Sequence, residues 1–153
     1  MIQNELITYR TALAQGYISE AEQDFSTKRW SSCVKLSQLA VESAGNSVLA
    51  LFGILGRIDD PAQEIAAMLR KRDFAPDIEK HVLGLLPWLL ALGPREHYLA
   101  ENGDESTHTP PWDLFDEDSA TEALEAARAS VEGAKEVIAA VEAWRNERSP
   151  DRP

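Results

Sequence analysis

Between Trp30 and Leu55 the chain carries no proline and only two glycines, Gly45 and Gly53. Apolar and small residues fall at Trp30, Cys33, Val34, Ser37, Ala40, Val41, Ala44, Val48, Leu51, Phe52 and Leu55. Steps of three and four residues place them in one continuous stripe on a helix. At 1.5 Å per residue the run spans roughly 35–40 Å, the length of a bundle stave. No segment alternates apolar and polar residues as a half-buried strand does, and no 20–50-residue repeat is present. The predicted fold class is all-α.

The remaining segments supply the other staves. A first helix runs from about residue 3 to Asp24, with Leu6, Tyr9, Leu13, Tyr17 and Ala21 on one face. Gly16 weakens it by about 1 kcal/mol relative to alanine. A break at Ser26-Thr27-Lys28 separates it from the second helix, which Gly56 suits as a C-terminal cap. An N-capping Asp and Pro61 in the first turn open a short third helix, ending near Arg72, with Ile65, Met68 and Leu69 inward. Ala75-Pro76-Asp77 opens the fourth, where Ile78, Val82, Leu85, Leu86, Leu89, Leu90 and Leu92 wrap nearly the whole circumference. That pattern predicts an element buried in the bundle or at a subunit contact, with a kink at Pro87. Gly93-Pro94 closes it, and residues 102–116 form a loop long enough to be functional or mobile. A capping box at Ser119-Ala120-Thr121-Glu122 starts the last helix, striped from Ala120 to Trp144. The expectation is an up-and-down bundle of four or five helices over residues 1–146, with a polar tail over 147–153.

At 153 residues the chain fits one domain that buries about two-thirds of its unfolded surface without disulfides or metal. The single Cys33 lies on the apolar stripe and reads as a small buried hydrophobe in a reducing compartment. The N-terminus lacks the pattern of a signal peptide. The longest apolar run, Val82 to Leu92, is about half of the ~20 residues a membrane span needs. These features predict a cytoplasmic protein with no membrane partner. A net charge of −11 disfavours RNA or DNA as a nonspecific partner. Arg70-Lys71-Arg72 is explained by cations at the negative end of a helix dipole.

Three stretches together resemble the HEPN domain family. Residues 17–52, YISEAEQDFSTKRWSSCVKLSQLAVESAGNSVLALF, look like the family's first two helices, with Ala40-Val41-Glu42 in the second. GRIDDPAQEIAAML is similar to its turn and short third helix, Asp59-Asp60-Pro61 standing where His-Asp-Pro is often written. PREHYLAENGDESTHTPPWDLFDEDSATEALEAA resembles the segment in which an Arg and a Tyr precede a proline-bearing loop and the last helix. The resemblance covers roughly residues 5–142. It implies a bundle of HEPN type that forms homodimers. Many members are metal-independent ribonucleases with an Arg followed four to six residues later by a His. The arginine holds phosphate and the imidazole moves the proton of the 2′-hydroxyl. Others bind small ligands or partner minimal nucleotidyltransferases in toxin–antitoxin pairs.

This chain does not keep the ribonuclease spacing. After Arg95 the required positions hold Ala100, Glu101 and Asn102, and no other arginine has a histidine at that distance. Arg95-Glu96-His97 places the imidazole two residues on, about 200° round a helix, so the two groups diverge within one chain. Arg95, His97 and Tyr98 are nevertheless the one local cluster offering a cation, a titratable ring and a hydroxyl, and are the candidate ligand-binding residues. Their alternative is structural: Arg95 pairing with Glu96 or Asp104, and His97 and Tyr98 packing at a helix end. His81 reads as a packed or surface histidine, and His108 lacks identifiable partners. No His/Cys cluster, HExxH, calcium-loop order or glycine-rich phosphate loop appears, so neither metal nor cofactor is expected. The acids from Asp113 to Asp118 suit a helix N-terminus, and Trp112, Leu114 and Phe115 are expected to clamp the loop onto the bundle, with a subunit or partner contact as the alternative.

The sequence favours a non-catalytic, HEPN-like homodimeric module that binds a nucleotide-like anion or a protein partner such as a minimal nucleotidyltransferase. The enzymatic alternative is a divergent ribonuclease with Arg95 and His97 supplied across a dimer. A scaffold without ligand is the third reading.

Overall fold

The computed structural model describes residues 2–148. Six helices of nine residues or more and one four-residue turn follow in order: α1 (Ile2–Ser26), α2 (Trp30–Leu51), α3 (Pro61–Arg70), α4 (Pro76–Ala91), α5 (Pro94–Asn102), α6 (Pro111–Leu114) and α7 (Glu117–Glu147). Four of these are the staves, and long-range hydrogen bonds and contacts give their directions. Gln3 at the start of α1 donates to the carbonyls of Ala50 and Leu51 at the end of α2, so α1 and α2 are antiparallel. Arg145 near the end of α7 donates to the same Leu51 carbonyl at 3.1 Å, while Cys33 lies against the Ala120 carbonyl at the other pole. Helix α7 therefore runs parallel to α2. Leu85 meets Gly133, and Trp88 and Leu92 share a pocket with Ser119 and Ala123, so α4 runs against α7. The result is an up-and-down all-α bundle with α3, α5 and α6 in its connections. No helix among the described residues is long and apolar enough to cross a membrane.

The core follows the striping. Val34, Val41, Val48, Ile65, Val82, Leu85, Leu89, Val131, Val137 and Val141 join one buried cluster drawn from six helices. Which helix is buried all round differs from expectation. It is α2, buried without interruption from Ala40 to Leu51, because α1, α3, α4, α5 and α7 all pack around it. Helix α4 buries only Ile78, Val82, Leu85 and Leu89, leaving Leu83 53 % and Leu90 50 % exposed. It continues through Pro87 as a single element.

Several boundaries also shift. Helix α2 stops at Leu51 rather than near Leu55, because Gly53 at φ +90° turns the chain back and the Ile54 N–H bonds the Leu49 carbonyl. Gly53, not Gly56, thus ends the helix. The last helix starts a few residues earlier than its Ser-x-x-Glu signal. Asp116 is the N-cap, its carboxylate accepting from the Ser119 N–H while the Ser119 hydroxyl faces the Asp116 N–H. An aspartate followed by Glu117 and Asp118 suits the positive helix end better than Ser119 does. The helix also extends through Glu147, one residue into the expected tail, whose residues 149–153 lie outside the described part.

The loop over 102–116 is internally bonded. Asp104 and Thr109 form an antiparallel bridge with bonds of 2.8 and 2.9 Å. Gly103 at φ +76° permits it, since a Cβ there would stand 2.4 Å from the Thr109 carbonyl oxygen. Of the three apolar residues expected to clamp this loop, Phe115 packs on the core and Leu114 is half-buried, whereas Trp112 is 73 % exposed.

Candidate functional site

The site grows from a polar seam inside α2. Gln38, Glu42 and Asn46 recur every four residues and therefore share one face, yet all three are buried. Buried polar groups persist when partnered, and each of these has a partner from another segment. Asn46 straps the loop after α2, its amide donating to the Ile58 carbonyl at 2.8 Å and its oxygen accepting from the Ile58 N–H at 2.9 Å. Arg10 of α1 reaches the same region, donating to the carbonyls of Asn46 and Leu55 at 3.0 and 2.6 Å. Burial, then repulsion from Arg57, lowers the pKa of Arg10 below its ordinary value.

This strap delivers Arg57 to Glu42. The two form an ion pair in which the carboxylate is buried and the guanidinium largely exposed. The hydrogen bond and charge of Glu42 hold Arg57 still more firmly protonated than a free arginine. Arg57 and Glu42 stand between two cavities. The first, about 240 Å³, is walled on the α1 side by Tyr9, Arg10 and Tyr17. The second, about 230 Å³, adds Gln38, Asp59 and His97.

His97 enters from α5, a helix where the sequence suggested only the junction of helix and loop. Gly93-Pro94 starts it, with Glu96 accepting the Gly93 N–H at 2.8 Å. The His97 Nδ1 lies 3.1 Å from Gln38 Oε1 and Nε2 lies 3.5 Å from Glu101. Both ring nitrogens thus face acceptors. The three candidates separate on this helix. His97 lines the second cavity, whereas Arg95 and Tyr98 are exposed and do not line it. Among the described residues Arg95 has no ion-pair or hydrogen-bond partner: Glu96 is committed to Gly93, and Asp104 to Ser106 at 2.6 Å. The guanidinium that shares the second cavity with His97 is that of Arg57 rather than Arg95.

The other singled-out residues lie elsewhere. Cys33 is fully buried, and burial pushes its thiol up to about 11. His81 is half-buried on α4, and His108 sits in the tight loop at φ +55°. Arg70 occupies the last turn of α3 and Lys71 caps it, while Arg72 lies beyond the helix. Among the described residues no three His, Cys, Asp or Glu side chains converge as metal ligands would. Sequence reasoning missed Arg57 and Glu42 as a pair. The available signal was the four-residue spacing of Gln38, Glu42 and Asn46, an internal polar stripe beside the apolar one. In comparisons with known proteins the chain matches no family model, no curated protein and no solved structure.

Proposed function

We propose that the chain is a HEPN-like, dimeric, non-catalytic binding module that takes a nucleotide-like anion in the cavity shared by Arg57 and His97. The observation that carries this reading is the meeting of a guanidinium, an imidazole and two polar acceptors in one cavity. Glu42 engages one guanidinium nitrogen. An arginine presents five N–H donors in a fixed fork, so the others are free for a phosphate. Asp59 and Gln38 then offer acceptors to sugar hydroxyls or base amino groups, which gives such a site preference over inorganic phosphate. Dimerisation rests on the uncharged outer arc of α4, where Leu83, Pro87 and Leu90 face solvent in a chain of net charge −11.

Cleavage instead of binding is the second reading, because an arginine and a histidine in one cavity are also what phosphodiester transfer by the 2′-hydroxyl requires. Binding is favoured because Gln38 and Glu101 face both imidazole nitrogens, leaving neither aimed at the cavity alone.

Thermal denaturation with a panel of nucleoside mono-, di- and triphosphates tests the reading. At 100 times its dissociation constant a true ligand adds about 2.7 kcal/mol of stability. The gain should vanish in His97→Ala and in Arg57→Lys, which keeps Glu42 paired but removes the fork, and should survive in Arg95→Ala. No shift with any nucleotide, or a shift lost only in Arg95→Ala, overturns it. Cleavage of single-stranded RNA that depends on Arg57 and His97 establishes the second reading instead.

A further inference from the structure

We infer that the pocket where the end of α4 meets the start of α7 docks an arginine- or lysine-bearing segment of a protein partner. The pocket is about 380 Å³ and shares no lining residue with the cavities beside Arg57. Val34 and Phe115 contribute apolar floor, and Trp88 of α4 forms a wall while remaining 37 % exposed. The polar rim includes Glu96, Glu122 and Glu125, and no lysine or arginine lines the pocket. Glu122 and Glu125 stand one turn apart on α7 and are exposed. Glu96 is held in place by the Gly93 N–H. Glu117 and Asp118, in the first turn of α7, extend the negative field, and α4 contributes no charge of either sign from Val82 to Leu92.

An apolar floor under a ring of carboxylates selects side chains with a long aliphatic stem and a cationic head. Arginine and lysine lay such stems along apolar surface while keeping the charge at the rim. Trp88 adds the aromatic face over which a cation is attracted. Charge excludes the other occupants. A nucleotide or other anion is repelled by the rim, and a second copy docked through the same patch would oppose glutamate with glutamate, a costly arrangement. The complement is a basic segment with flanking apolar residues, on a partner whose charge opposes the −11 of this chain.

The test uses a fluorescein-labelled arginine- and leucine-rich synthetic peptide and the whole protein, read by fluorescence anisotropy at several salt concentrations. Binding should weaken as salt rises, and should fall about tenfold or more in Glu122→Lys/Glu125→Lys. Trp88→Ala should weaken it by a comparable factor. Glu20→Lys/Glu136→Lys makes the same change in net charge at exposed sites outside the pocket, and should leave affinity within about threefold. A peptide with glutamate in place of arginine should not bind. No binding to the unaltered protein, equal weakening by both lysine pairs, or full affinity in Trp88→Ala each overturns the proposal. Melting temperatures, unchanged in the two lysine pairs because Glu20, Glu122, Glu125 and Glu136 are exposed, and measured beside the affinity of Trp88→Ala, distinguish lost docking from lost folding.

Discussion

Helices α2 and α4 invert what their compositions suggest. Helix α2 carries Ser37, Gln38, Glu42, Ser43, Asn46 and Ser47, all buried, and is the central stave. Helix α4 is the most apolar helix by sequence and buries only four residues. Burial is decided by how many elements a helix can touch and by whether its polar groups find partners, not by its count of leucines. In α2 the neighbours supply the partners: Ile58 for Asn46, Arg57 for Glu42 and His97 for Gln38. In α4 the leucines of the outer arc, Leu83 and Leu90, stay half exposed. The polar helix therefore lines the candidate site, and the apolar helix makes exposed surface.

The largest test of this contrast compares Asn46→Ala with a double change on α4. Asn46→Ala removes a buried amide and leaves the part-buried Ile58 N–H and carbonyl without their side-chain partner, and should cost about 2–4 kcal/mol, read as a fall in denaturation midpoint. Leu83→Gln/Leu90→Gln should change the stability of the monomer by no more than about 0.5 kcal/mol per site. It should instead abolish the dimer that sedimentation of the unaltered protein is expected to show. If the leucine pair costs as much folding stability as Asn46, the contrast fails, and a monomer at every concentration removes α4 as a subunit contact.

A smaller effect sharpens the same comparison through one glycine on each helix. A Cβ at Gly45 of α2 would stand 2.6 Å from Pro61 Cγ, whereas one at Gly84 of α4 would meet nothing within 4 Å. Gly45→Ala should destabilise by about 1–3 kcal/mol through overpacking. Gly84→Ala should stabilise the monomer by about 1 kcal/mol through helix propensity. Equal signs for the two would refute the burial difference.

The smallest effect is chemical. The Cys33 thiol of α2, pushed up to about 11 by burial, should resist alkylation at neutral pH until denaturant is added. A raised folded-state value means its stabilising contribution is intact below the unfolded value, near 9, and is lost as pH rises through about 11. Cys33→Ala should therefore lose less stability than the unaltered chain over that window in pH-dependent denaturation. Rapid labelling of the folded protein would contradict the burial assigned to α2.

The all-α class and the staves were legible because apolar spacing of three and four is set by the helix itself. Endings were less legible. Gly56 and Gly53 both suit a helix terminus by composition, and only the backbone at φ +90° distinguishes them. The site was legible in half. His97 stood out as a titratable ring, but Gln38, which bonds it, and Arg57, which shares its cavity, come from a different helix and a different loop. No local spacing connects residues 38, 57 and 97. Arg95 attracted notice only by adjacency, and two residues along a helix is the separation that keeps side chains apart.

The carbonyl of Leu51 accepts from Gln3 and from Arg145, and so gathers both flanks of the chain at one pole. During synthesis the early hairpin of α1 and α2 emerges long before α7 can reach that oxygen. Until the ribosome has released the segment around Arg145, the central stave stands uncovered on the side that α7 will occupy. A nascent chain of this topology is exposed to premature association until α7 has emerged, because a contact so distant along the polymer closes last.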